Sequence, residues 1–333
     1  MGVVDRRVLI LMFVVLLAGS RAEAQEKPSG RALYDKIYRA TAEVLVDGRQ
    51  NGSACFVGSK GLVLTAAHLF KTKPGLIELS TNVGGRVRAE LLAIDRGHDV
   101  ALIEVEQRDG GWPGLELAET EPEPCRDVFL LGAPLYRHAV LIRGAFGRPL
   151  PSYEYYGSDQ LYISMIHVSA TVQSGTSGVA WVDAHGRIFG VQSGTMTEKG
   201  VPVGLAFVAP LVPIKRIVGD QTSATTATVG LGVESVWEQK EDFVKKLAEG
   251  MEGLVVRKIR AKGGGARAGI KEWDVILSID GKPVRRVGDL LSRVRAGKPG
   301  DELTLEILKP DAKRKVKRKV KLRRLEEPWV YEL

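Results

Sequence analysis

Apolar positions along this chain come in short bursts. Residues 44–46, 54–57, 62–65, 100–105, 128–131, 161–165, 188–191 and 205–208 are each brief and are bounded by Gly, Pro, Asp or Asn. Runs of this kind, with almost no helical period between them, predict a mainly β barrel or sandwich of about 180 residues. The stretch 223–228, Ser-Ala-Thr-Thr-Ala-Thr, offers nothing apolar enough to bury and reads as a linker. Beyond it the pattern becomes mixed α/β. Residues 254–259 and 275–279 read as strands, Asp280-Gly281 as a tight turn, and 287–294 as a helix with apolar residues at 287, 290, 291 and 294. Residues 303–308 and the basic run after them supply closing strands, and about 95 residues suffice for one small core.

The longest apolar run, residues 8–18, follows Arg6 and Arg7 and precedes Ala22-Glu23-Ala24. It is too short for a membrane-crossing helix, which needs roughly 20 residues. A basic start, a short apolar middle and an Ala-x-Ala end instead predict an export signal over 1–24, and so a periplasmic or secreted protein. The expected division is then 25–218 for the β domain, 219–228 for the linker, 229–325 for the small α/β domain and 326–333 for a tail.

Composition, 44% hydrophobic and 26% charged, excludes wholesale disorder. The net charge of +8 is unevenly spread: residues 25–228 hold 20 Lys/Arg against 21 Asp/Glu, whereas 229–325 hold 25 against 14. Nine of the twelve residues 313–324 are basic, with Val316, Val320 and Leu322 between them. That alternation suits a solvated last strand with a few inward side chains, or a weak contact with an anionic surface. No aromatic residue interrupts the run, which argues against stacking on single-stranded nucleic acid. Two cysteines in an exported chain permit one bridge, Cys55 to Cys125. No Cys-x-x-Cys or His-x-x-x-His pattern is present, so neither a metal nor another cofactor is expected.

Three fragments carry chemistry. Thr65-Ala66-Ala67-His68 follows an apolar strand, His98-Asp99-Val100 opens another, and Gly175-Thr176-Ser177-Gly178 lies in a glycine-flanked loop. A serine hydroxyl is a poor nucleophile until a neutral imidazole accepts its proton, which makes His68 the candidate base for Ser177. Asp99 is the candidate orienter of the ring. The N–H groups of Gly175 and Ser177 are candidate donors to a developing oxyanion.

At these residues the chain resembles the trypsin-like serine proteases, and more closely their HtrA (DegP/DegS-like) branch. Asn51-Gly52-Ser53-Ala54-Cys55-Phe56-Val57 and Gly61-Leu62-Val63-Leu64-Thr65-Ala66-Ala67-His68 resemble the family's lead-in to the catalytic histidine. Leu130-Leu131-Gly132-Ala133-Pro134 and Gly204-Leu205-Ala206-Phe207-Val208-Ala209-Pro210 resemble its interdomain turn and closing strand. The C-terminal part resembles a PDZ domain. Gly230-Leu231-Gly232-Val233 matches the carboxylate-binding loop, and Ala268-Gly269-Ile270 through Asp274-Val275-Ile276 to Asp280-Gly281-Lys282-Pro283-Val284 matches its most recognisable stretch.

The resemblance implies a chymotrypsin-like double β-barrel followed by one small α/β PDZ domain. The implied activity is an ATP-independent serine endopeptidase acting on unfolded or mislocalised proteins and regulated by C-terminal peptides in the PDZ groove. It further implies a specificity pocket at Val191, Gln192, Ser193, Ala206 and Phe207, uncharged and suited to small or medium aliphatic residues. A homotrimer with Tyr34 and Tyr38 as contacts is implied as well. The C-terminal residues 329–333 are themselves an apolar-ended segment of the kind such a groove accepts. Departures are equally visible. Thr176, Val179 and Ala180 stand where the family has Asn, Gly and Pro, with Val179 expected to restrain the loop or narrow the pocket. That leaves a silenced protease acting as a peptide-binding, chaperone-like scaffold as the alternative. Trp273 stands where a PDZ domain usually has Gly, and there is room only for a tight turn between Val46 and Gly52.

Overall fold

The short apolar bursts fold into two six-stranded barrels, each closed on itself. The computed structural model describes residues 28–156, 161–310 and 314–325; the expected export signal and the tail at 326–333 lie outside the described residues. The first barrel contains β1 (Thr41–Val46), β2 (Arg49–Val57), β3 (Leu62–Thr65), β4 (Ile77–Thr81), β5 (Gly85–Asp95) and β6 (Val100–Val105), in the order β1-β2-β3-β6-β5-β4. The second contains β7 (Asp127–Gly132), β8 (Val140–Tyr156), β9 (Leu161–Ser169), β10 (Ala180–Val182), β11 (Ile188–Glu198) and β12 (Val201–Ala209), in the order β10-β11-β12-β9-β8-β7. Closure leaves no unpaired edge to be protected.

Each barrel has its own filling, and a third apolar cluster joins them. Val44, Phe56, Val63, Ile94 and Ile103 fill the first, and Phe146, Val168, Trp181, Phe189 and Val208 the second. Leu64, Leu102, Leu131, Met165 and Val182 form the seam, together with helix α1 (Gly30–Ala40) and helix α2 (Leu211–Asp220). In α1 the buried residues Leu33, Ile37 and Ala40 recur at helical spacing, and the Ser29 hydroxyl caps the helix by accepting from Ala32 N–H at 3.2 Å. Tyr34 and Tyr38, expected as trimer contacts, stack on each other and lie against this chain's own seam, with Tyr34 donating to the Ala139 carbonyl at 3.0 Å.

β1 and β2 are joined by Asp47-Gly48 alone, both at positive φ (50° and 78°), the geometry of a two-residue hairpin turn. The bridge that the sequence permits is not formed. Cys55 points into the seam, where burial pushes its thiol up to about 12, whereas Cys125 is exposed, and both are free.

The segment read as a linker is tied down. Ile94 N–H donates to the Ser223 hydroxyl (3.1 Å), Ala224 N–H donates to the Ile94 carbonyl (2.9 Å), and β13 (Ala227–Thr228) pairs with β20 (Arg323–Arg324). Between them lies a sheet of β14 (Leu231–Ser235), β15 (Leu254–Ile259), β16 (Val275–Ile279), β18 (Glu302–Lys309) and β19 (Arg314–Lys321) in the order β14-β15-β16-β18-β19, with β17 (Lys282–Pro283) beside β16. Helix α3 (Val287–Arg295) buries Leu290, Leu291 and Val294 against it. Basic β19 is a solvated outer strand: Val320 is buried, Val316 half-buried, and Lys319 pairs with Glu302 at 2.9 Å. Trp273 lies at a φ of 71° on the surface, its ring beneath the Arg257 guanidinium and beside Phe243.

Candidate active site

The first barrel supplies an imidazole and a buried carboxylate. His68 sits in a single 3-10 turn, Ala67–Leu69, directly after β3, and Asp99 in the turn that opens β6. Asp99 adopts a φ of 54°, a left-handed conformation that a short polar side chain tolerates. Its Oδ1 accepts the backbone N–H of His68 and its Oδ2 lies against His68 Nδ1, both at 2.7 Å. Its own carbonyl accepts Ala67 N–H at 3.2 Å. With Nδ1–H given to the carboxylate, Nε2 keeps its lone pair on the far side of the ring. Burial opposes ionisation of Asp99, but the His68 ring and the Ser193 hydroxyl outweigh it and hold the carboxyl below its ordinary range. The neighbouring His98 is turned to Asp95 instead (3.1 Å), a structural pair.

The second barrel supplies the loop of the candidate nucleophile, Ser177. Thr176 N–H and Oγ1 both bond the Gln173 carbonyl, at 3.2 and 2.8 Å, closing a turn whose third residue is Gly175 at a φ of 98°. The Ser174 carbonyl accepts Leu135 N–H at 2.8 Å. Because a trans peptide sets C=O and N–H in opposite directions, this bond turns the Gly175 N–H to the other face. Neither the Gly175 nor the Ser177 N–H bonds an acceptor among the described residues. A Cβ at Gly175 would meet the Ala133 carbonyl at 2.3 Å, and one at Gly178 would meet the Ser53 carbonyl and Thr65 Oγ1 at 2.3 Å. Both positions must be glycine.

Two further residues hold the constellation together, though no motif marked them as doing so. Ser53, on β2, donates its N–H to the Ser177 carbonyl (2.8 Å) and its hydroxyl to the Gly175 carbonyl (2.7 Å), so a strand of one barrel shapes the loop of the other. Tyr156, at the end of β8, lies 2.8 Å from Ser193 Oγ and covers Gly194, where a Cβ would meet its hydroxyl at 2.5 Å. Gly194 after a serine was the available signal.

The expected pocket residues are redistributed. The Ser193 hydroxyl donates to Asp99 Oδ2, and the Ser193 carbonyl accepts the Ser177 hydroxyl at 3.2 Å. Gln192 is buried and spans Trp181 Nε1 and the Gly194 carbonyl, both at 2.7 Å. Val191 and Ala206 have no exposed surface, Val191 being buried in the seam and Ala206 inside the second barrel; Phe207 alone is partly open, beside His167 and Tyr156. Val179, expected to crowd the pocket, is instead buried in the second barrel over Gly132, and Ala180 joins the seam.

Gly230, Leu231, Gly232 and Val233 lead into β14, the edge strand facing α3. Gly230 has a φ of 69°. Val233 N–H donates to the Tyr162 hydroxyl at 2.8 Å, and that hydroxyl donates to the Val233 carbonyl at 2.7 Å.

Residues 52–191 match the model of the trypsin-like peptidase domain, and residues 229–320 that of the PDZ domain. A probable periplasmic serine endoprotease, DegP-like, of Pseudomonas fulva is 30% identical over 273 residues, covering 80% of this chain and 54% of the relative. Its counterpart in Ectopseudomonas mendocina is 27% identical, covering 80% and 55%. The chain thus spans about half the length of the curated relatives it matches. Among solved structures, the HtrA-type protease AlgW with a decapeptide superposes with a TM-score of 0.64 at 20% identity, over 90% of this chain and all of that one. The serine endoprotease from Yersinia pestis superposes at 0.60, also at 20% identity and over the same shares.

Proposed function

Because the chain belongs to the HtrA branch of the trypsin-like serine proteases, with one PDZ domain after the barrels, we propose that it is an exported, periplasmic serine endopeptidase working through His68, Asp99 and Ser177. The observation that carries this reading is the carboxylate of Asp99 gripping both the ring Nδ1 and the backbone N–H of His68. That grip fixes the tautomer a general base requires.

For catalysis Ser177 Oγ must leave the Ser193 carbonyl, which it bonds at 3.2 Å, and present its proton to His68 Nε2. Oγ then attacks the scissile carbonyl carbon as Nε2 takes its proton, and the oxygen that gains the electron pair is met by the Gly175 and Ser177 N–H groups. Collapse of the tetrahedral centre breaks the C–N bond, and the departing amine takes the proton from His68. Water repeats the sequence on the acyl ester, returning Oγ–H and releasing the acid. Val179 and Ala180, which prompted the reading of a silenced scaffold, are buried in the second barrel and in the seam, and their placement supports hydrolysis. Unfolded proteins are the substrates this reading assigns, with C-terminal peptides at the PDZ groove as regulators.

Labelling by a serine-directed phosphonate tests it. The parent is expected to label at Ser177, and Ser177→Ala and His68→Ala to lose turnover of an unfolded casein by about 10⁶-fold. Turnover surviving in Ser177→Ala would overturn the assignment.

A further inference from the structure

The groove read above as the peptide site has an occupant from the same chain. β14 is an edge strand, and in an antiparallel ladder every second residue turns its N–H and C=O away from its neighbour. Val233 is such a residue, and both of its outward groups are taken by one atom, the hydroxyl of Tyr162 at the start of β9. The rest of the phenol is buried, joining the apolar cluster that contains Leu231, Val233, Leu290 and Val294. Its neighbour across the hairpin, Tyr155, lies against Gly232, where a Cβ would meet the ring at 3.0 Å, and the two tyrosine rings are 4.9 Å apart. From the other wall, Arg295 at the end of α3 donates to the Tyr162 carbonyl at 2.5 Å and to the Ala227 carbonyl at 3.2 Å.

A peptide adding to β14 needs the groups that Tyr162 already holds, because β-augmentation runs on outward backbone N–H and C=O. We propose that Tyr162 is an internal ligand of the PDZ groove, and that a free C-terminus binds only by evicting it. The inference rests on reading this groove as the peptide site. The hydroxyl is a neutral mimic: it accepts one N–H as a carboxylate would, and donates to one C=O as a peptide amide would. A true C-terminus outbids it through its charge-assisted bonds. The apparent affinity of any peptide is lowered by the fraction of molecules whose groove is open. The structure also sets where eviction is felt. Tyr156, one residue beyond Tyr155, bonds Ser193, so the hairpin that fills the groove also reaches the partner of Asp99.

The test compares the full-length parent with Tyr162→Phe, which keeps the ring and loses only the two hydrogen bonds, and with Tyr162→Ser, which also empties the apolar space. The probe is a fluorescein-labelled pool of decapeptides with an apolar last residue, as free acids and as C-terminal amides. Tyr162→Phe is expected to bind the free-acid pool about tenfold more tightly than the parent, Tyr162→Ser at least as tightly, and the amides to bind none of them well. Hydrogen exchange at the Val233 amide is expected to quicken in Tyr162→Phe without peptide. Equal, acid-specific binding by all three proteins overturns the internal ligand and leaves the groove reading intact. Binding by none, or equal binding of acids and amides, overturns the groove reading and the inference with it. Unchanged exchange at Val233 overturns the inference alone.

Discussion

Ser193 donates its hydroxyl to Asp99 Oδ2, the same oxygen that holds the ring of His68. A buried carboxylate with two donors on one oxygen is fixed in rotation as well as in charge, so the imidazole inherits its direction from both barrels. The Tyr156 hydroxyl, 2.8 Å from Ser193 Oγ, completes the chain by donating to the oxygen whose proton Asp99 receives.

Removing those donors should slow the reaction without weakening substrate binding. A hydrogen bond to a charged group is worth about 1.5–3 kcal/mol, so Ser193→Ala is expected to lower kcat by about tenfold to a hundredfold. Tyr156→Phe, which removes a neutral donor one step further out, should cost about threefold to tenfold. Steady-state kinetics on a fluorogenic peptide check both. A rise in KM at constant kcat would place these residues in substrate binding instead.

Val179 should report on packing. Its side chain has no exposed surface, so Val179→Ala is expected to destabilise the protein by about 1–3 kcal/mol through a cavity in the second barrel. Urea unfolding measures this, and kcat/KM of the folded variant should match the parent. Faster cleavage of substrates with bulkier side chains would return Val179 to the pocket.

Acid should act through carboxylates. Burial works against the charge of Asp95, Asp99 and Glu154, yet their histidine partners and hydrogen bonds hold all three below their ordinary values of 3.8, 3.8 and 4.5. A group with a lowered folded pKa contributes stability that is complete above its unfolded value and is lost as pH falls through the folded one. This contribution should therefore be constant down to about pH 5 and vanish progressively below about pH 4. Urea midpoints between pH 7 and 3 follow it, and Ser193→Ala, which lacks one of the bonds lowering Asp99, should lose less over that range.

The thiols should differ sharply. Exposed Cys125 is expected to react with a maleimide in the native protein, and buried Cys55 only after unfolding. Reducing agent should leave the melting temperature unchanged. Protection of both thiols that is released by reductant would restore the bridge.

Much of this arrangement was legible in the residue order. The turn residues and short apolar runs announced a mainly β barrel or sandwich, and Ser177 stands between glycines with steric duties. The 287, 290, 291, 294 spacing marked α3, whose buried face uses three of those four positions. What escaped depends on closure across long separations. Ser193 meets Asp99 over 94 positions, and Tyr162 meets Val233 over 71. Period-two patterning says which face a strand residue takes, not which distant backbone lies opposite. For the same reason Val191 and Ala206, read as pocket walls, lie buried in the seam and inside the second barrel respectively. The linker composition was read correctly as polar, but polar side chains and bare backbone can bond a neighbouring strand, as Ser223 and Ala224 do at Ile94.

The two bonds from Ser53 tie the geometry of the Ser177 loop to the meeting of the two barrels. Until the N-terminal half has closed and met its partner, nothing outside the loop fixes the carbonyls on either side of Thr176. Under the proposed function, a copy whose barrels have not yet met lacks an ordered loop around Ser177 and so is not yet a competent protease. Unfolding by heat or acid would undo the same ordering, since separating the halves releases both Ser53 bonds.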